Sequence, residues 1–136
     1  MKIGYGTDPD GIDHMILSMI SALETASDPE KISFLVTFDP RKGYNPDLYR
    51  EKINKHISPE KIQLLNPHPY FFSTPDGEPP ITLGTRAGVI HGLNLDNLIL
   101  ECDDEDLLMC DADTCFLMPG FPQSSLSLSV TSYHLS

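Results

Sequence analysis

The sequence predicts a three-layer α/β domain with a mainly parallel sheet, and three observations carry that prediction. A strand, a helix and a second strand follow one another between Lys2 and Phe38, the order of a βαβ unit whose strands lie parallel and buried. A later apolar strand, Asp106 to Asp111, runs into the acidic pair of Asp111-Ala112-Asp113-Thr114. The length of 136 residues, 40% of them hydrophobic, suffices for one core and argues against two.

Each element has its own local reason. Lys2 to Tyr5 is short, apolar and β-compatible, and Gly6-Thr7-Asp8-Pro9-Asp10-Gly11 after it is a cluster of turn formers. From there Ile12, Met15, Ile16, Met19, Ile20 and Leu23 recur at the spacing of one helical face. Asp10 is the expected N-cap and Asp13 suits the first turn; Ser27-Asp28-Pro29 stops the helix. Ile32 to Phe38 is β-branched and aromatic and reads as the second strand. Asn45-Pro46 is a cap and first-turn pair that opens a polar helix, with Leu48, Tyr49 and Ile53 inward and an end near His56. Ile62 to Leu65 supplies a third strand. Asn66 to Gly84 has no periodicity, many prolines and the aromatic run Tyr70-Phe71-Phe72, which can cover the core or stack on a sugar or base. A third helix is predicted from Thr85 to about Leu100 with Val89, Ile90, Leu93 and Leu98 inward, against the grain of Gly88 and Gly92. The boundary is set at 1–123 for the α/β domain, leaving 124–136 as a Ser-rich tail or edge strand.

Charge narrows the function classes. Lys and Arg number 9 against 20 Asp and Glu, a formal charge of −11, so an anionic surface is approached against a repulsive field, and neither a nucleic-acid groove nor a basic membrane patch is expected. No apolar signal core or membrane-spanning run is visible, which gives the expectation of a soluble, cytoplasmic chain. Cys102, Cys110 and Cys115 lack a Cys-x-x-Cys spacing and are expected reduced and buried as small apolar residues.

The most informative segment is Asp106 to Phe121, DLLMCDADTCFLMPGF. A buried strand ending in Asp-x-Asp projects two carboxylates from the carboxyl edge of a parallel sheet, where open α/β sheets place their ligands. Two hard oxygen ligands so spaced can share Mn²⁺ or Mg²⁺ with water and phosphate oxygens; alone, the same pair can simply cap a turn.

This stretch resembles the metal-binding motif of nucleotide-sugar-dependent glycosyltransferases of the GT-A fold, in many of which Pro-Gly-Phe follows, as Pro119-Gly120-Phe121 does here. The opening from Lys2 to Asp8, the helix bearing Ser18 to Leu23 and the run Asp28 to Phe34 are similar to the start of the glycogenin and lipopolysaccharide galactosyltransferase group. The resemblance implies that Asp8 contacts the base or ribose, with Gly6 and Thr7 giving backbone access, and that Asp39 faces the base. It further implies that Arg86, in Thr85-Arg86-Ala87-Gly88, approaches the donor and that Asp111 and Asp113 hold the metal. A divalent cation makes electrostatic sense, since a diphosphate entering this acidic chain is otherwise repelled. The implied partners are a nucleotide-sugar donor, with a UDP-sugar foremost, and an unknown acceptor.

Full GT-A enzymes continue into an acceptor-binding half, whereas no Asp or Glu follows Asp113 here and His134 is the one later histidine. The reading is therefore a transferase completed by a second copy or a partner chain, or else a sugar-nucleotide-binding module without turnover. Thr7-Asp8-Pro9-Asp10-Gly11-Ile12-Asp13 also looks like the first metal motif of the DHH phosphoesterases, but no Asp-His-His follows, and the transferase reading is preferred.

Overall fold

The computed structural model describes residues 1–73, 81–102 and 106–117, with the backbone of 132–134. Its elements are β1 (Lys2–Thr7), α1 (Ile12–Thr25), β2 (Ser33–Phe38), α2 (Pro46–Asn54), β3 (Ile62–Leu64), α3 (Ala87–Glu101), β4 (Leu107–Cys110), β5 (Thr114–Phe116) and β6 (Ser132–His134). The strands β3-β2-β1-β4 form one sheet in that order, and every pair in it is parallel. The three-layer α/β prediction holds.

The alternation of side chains along β2 divides the interior into two layers. Phe34, Val36 and Phe38 join Ile3 and Tyr5 of β1 against Met15, Met19 and Ala22 of α1 and Tyr49 and Ile53 of α2. Leu35, on the opposite face, packs with Leu65 and with Leu98 of α3. Each fully buried side chain of this size contributes roughly 1.5–3 kcal/mol, so the α1 side, with many more such residues, carries most of the apolar stabilisation.

Local chemistry explains the element ends and three corrections. Asp10 is not the cap of α1. Pro9 lets a single 3-10 turn, Pro9–Gly11, form first; Asp8 caps that turn through Gly11 N–H to Asp8 Oδ1 at 3.1 Å, and Gly11 precedes α1 without a side-chain cap. Asp10 instead lies 3.2 Å from Lys42 Nζ. Asn45 does cap α2, its Oδ1 accepting from Leu48 N at 3.2 Å with Pro46 first in the helix. Leu48 is nonetheless exposed, because Tyr49 and Ile53, four residues apart, form the inward stripe. Val89 is likewise exposed; the buried stripe of α3 is Ile90, Asn94, Asn97 and Leu98, with Leu93 half-buried. Two of those four positions are asparagines, which a search for apolar periodicity passes over.

Within the proline-rich segment, Pro69–Phe71 is a 3-10 turn that buries Phe71 and leaves Tyr70 and Phe72 exposed. His68, buried beneath it, accepts from Tyr70 N at Nδ1 and bonds Asp96 Oδ2 through Nε2 at 2.8 Å, tying this loop to α3. Pro75, Pro79, Pro80 and Pro119 to Phe121 lie outside the described residues. β6 pairs antiparallel with β5 in a separate two-stranded sheet.

Candidate functional site at the carboxyl edge of the sheet

The connections from β1 place β2 and β3 on one side, whereas β4 returns to pair with β1 on the other. Adjacent crossovers thus leave the sheet in opposite directions beside β1, which opens a crevice at the carboxyl ends of the strands. The register decides what faces it. Thr7 pairs with Phe38, bringing Asp8 level with Asp39, and Tyr5 pairs with Cys110, bringing Gly6 level with Asp111.

The crevice has two lobes. One, of about 200 Å³, is lined by Gly6, Thr7, Asp8, Asp39 and Arg41 from the strand ends and by Ala87, Ile90, His91 and Asn94 of α3. The other, of about 260 Å³, shares Gly6, His91 and Asn94 and adds Leu95, Met109, Cys110 and Asp111. Helix α3 is their common wall, and Gly6 permits its approach: a Cβ there would stand 2.6 Å from Asn94 Cβ, too close for any side chain.

Arg41 organises the first lobe. Its Nε lies 3.0 and 2.9 Å from the two oxygens of buried Asp39, its Nη2 donates to Asp39 Oδ2 at 2.8 Å, and its backbone N–H donates to Oδ1 at 3.0 Å. Nη1 then reaches the carbonyls of Thr82, Leu83 and Thr85 at 3.1, 3.3 and 3.2 Å. The hydrogen bonds to Asp39 push the Arg41 pKa up further. One guanidinium thereby fixes the end of β2 to the segment that leads into α3.

On the other side, Asp111 is exposed at the exit of β4, and Thr114 N–H donates to its carbonyl at 3.0 Å, closing the turn that carries half-buried Asp113. Among the described residues no group of three or more His, Cys, Asp or Glu side chains is placed to hold a metal ion. Two carboxylates do suit a cation that takes its remaining ligands from phosphate oxygens and water, the common arrangement for Mg²⁺. Burial and the neighbouring Asp111 push the Cys110 thiol up to about 12, so this residue is a neutral small side chain and no nucleophile at ordinary pH. None of the three cysteines forms a disulfide.

Of the residues singled out in the sequence, Gly6, Thr7, Asp8 and Asp39 meet in one lobe and Gly6 and Asp111 in the other. Asp113 and Arg86 line neither; Arg86 is exposed at the N-terminus of α3, next to Ala87, which does. Arg41, His91 and Asn94 are site residues that sequence reasoning missed. The last two were legible in principle, because 87, 90, 91 and 94 share one face of a helix.

No protein-family model matches the chain, and no curated protein matches it. Among solved structures it is similar to the galactosyltransferase LgtC in complex with donor and acceptor sugar analogues, at 20% identity and a TM-score of 0.59 over 87% of this chain and 40% of that one. The fold is GT-A-like. An active-site mutant of LgtC matches at 20% identity and a TM-score of 0.52, over 85% of this chain and 39% of that one. The chain thus spans about two fifths of the length of these enzymes. No helix among the described residues is long and apolar enough to cross a membrane.

Proposed function

We propose that this chain is the nucleotide-binding part of a glycosyltransferase, binding a nucleotide-diphosphate sugar with a divalent cation and presenting the sugar to an acceptor. The observation that carries the reading is the crevice at the β1/β4 switch point, where Gly6, Asp8, Asp39 and Asp111 converge on a GT-A-like sheet. In this reading the nucleoside lies in the lobe of Asp8 and Asp39, the glycine-lined floor admits the backbone-hugging ribose and diphosphate, and Asp111 with Asp113 holds the cation. Mn²⁺ or Mg²⁺ there would supply Lewis-acid stabilisation to the leaving diphosphate. The protein itself binds and orients, with α3 shielding one side of the donor from water. The acceptor-side groups come from outside the described residues, from a second copy or from a partner chain.

Thermal unfolding with UDP or a UDP-sugar, with and without Mn²⁺, tests this directly. The wild type gains stability only when nucleotide and metal are both present, and Asp111→Ala and Asp113→Ala each abolish the metal-dependent part. The absence of any nucleotide response with Mn²⁺ overturns the reading.

A further inference from the structure

Among the described residues two buried side-chain oxygens have no hydrogen-bond partner, Asn54 Oδ1 and Asn94 Oδ1. Asn54 lies at the end of α2 and borders neither lobe. Asn94 is 4% exposed and borders both, at the waist of the crevice beside Gly6. A buried polar atom left unpaired costs free energy, and native proteins retain such atoms where they have another use.

The next turn of the same helix shows what a structural asparagine looks like here. Asn97, also buried, donates through Nδ2 to Thr37 Oγ1 at 2.8 Å and to the Asn66 carbonyl at 2.9 Å, stitching α3 to β2 and to the loop after β3. Asn94 occupies an equivalent inward position on the stripe, yet its carbonyl oxygen joins nothing. An apolar residue of similar size would fill the space against Gly6 without that cost.

We propose that Asn94 is a ligand-reading residue, whose Oδ1 accepts a hydrogen bond from a hydroxyl of the bound nucleotide sugar. Rotation about χ2, a torsion with a broad minimum for asparagine, turns the oxygen from its shielded position toward the crevice, and the ligand hydroxyl supplies the missing donor. A neutral acceptor suits this position: Asp8 and Asp111 already bring negative charge to the crevice, Asp39 being paired with Arg41, and a further carboxylate would oppose a diphosphate. The hydroxyl belongs either to the ribose or to the transferred sugar. The proposal rests on the nucleotide-sugar reading above, and it makes Asn94 the residue of α3 that rewards a hydroxylated ligand over one lacking that group.

The experiment measures calorimetric binding of UDP and of UDP-glucose or UDP-galactose in Mn²⁺, together with ligand-free thermal unfolding, for wild type, Asn94→Ala, Asn94→Leu and Asn97→Ala. Both Asn94 variants should bind the UDP-sugar about tenfold more weakly, with a ligand-free midpoint near that of the wild type, whereas Asn97→Ala should lower the midpoint. A loss seen with UDP as well as with UDP-sugar assigns the hydroxyl to the ribose; a loss confined to UDP-sugar assigns it to the sugar. Wild-type affinity in both Asn94 variants overturns the inference and leaves the nucleotide-sugar reading standing. If both Asn94 variants lose as much ligand-free stability as Asn97→Ala, Asn94 is a structural residue and the inference fails. A wild type that binds neither ligand overturns the reading and the inference together.

Discussion

Arg41 joins three pieces of the chain through one side chain: Asp39 at the end of β2, its own loop, and the carbonyls of 82, 83 and 85 before α3. Removing it strands a carboxylate whose side chain is only 9% exposed. Arg41→Ala should therefore cost roughly 2–3 kcal/mol, toward the lower side of what breaking a buried pair costs because Arg41 itself is partly solvated. Urea denaturation of Arg41→Ala, Asp39→Asn and the double variant checks this: the double variant should recover part of the loss, since it leaves no unpaired buried charge. At this scale the acidic residues were legible, because Asp8, Asp39 and Asp111 each end an apolar strand. Arg41 was not, because its partners at 82 to 85 are backbone carbonyls, and backbone acceptors leave no mark in a sequence.

Helix α3 presents two glycines of opposite meaning to Gly6 in β1. At Gly6 an added Cβ collides with Asn94 Cβ, a rigid atom fixed to the helix axis. The strand gains roughly 0.5–1 kcal/mol in backbone entropy from an alanine, but displacing α3 costs about 1–3 kcal/mol. Gly6→Ala is therefore destabilising on balance and also weakens ligand binding by moving the helix that walls the crevice. At Gly88 and Gly92 an added Cβ meets nothing within 4 Å, so Gly88→Ala and Gly92→Ala should each stabilise the protein by roughly 0.5–1 kcal/mol. Paired unfolding curves for the three variants check the signs. The sequence revealed that α3 exists and that Ile90 and Leu98 face inward, but not its full stripe. Hydrophobic periodicity locates a core-facing helix only where the core is apolar, and α3 packs through Asn94 and Asn97. The βαβ opening was clearer because the buried faces of α1 and β2 are apolar apart from Ser18 and Thr37.

For the molecule as a whole, the raised acid protons of half-buried Cys110 and buried Tyr5 weigh against stability in alkali. Cys110 is raised from its ordinary 9.0 to about 12, chiefly by burial, and burial likewise raises Tyr5 above 10.0 despite its 2.7 Å bond to Ser18 Oγ. In the unfolded chain both protons leave near the ordinary values, whereas the folded chain keeps them, so the unfolded state binds fewer protons and stability falls as pH rises. The Cys110 contribution is fully present below pH 9 and is lost progressively toward pH 12, while that of Tyr5 is fully present below pH 10. Urea midpoints measured from pH 7 to 10.5 should decline above pH 9, Cys110→Ala should flatten the decline, and the native thiol should resist alkylation at pH 8. The parallel sheet at this scale was predicted from short apolar runs separated by helical patterns. The place of β4 beside β1 rather than beside β3 was not, since strand order depends on which crossover packs best. That order also governs assembly. Lys2 pairs with Leu107, a seam between residues far apart in the chain, and seams of that kind close only when earlier contacts offset the loop entropy. Any partly opened form that has released β4 has no Gly6–Asp111 lobe at all, so a compound lodged across the seam acts as a rivet, recognising only the finished molecule and holding its last strand in place.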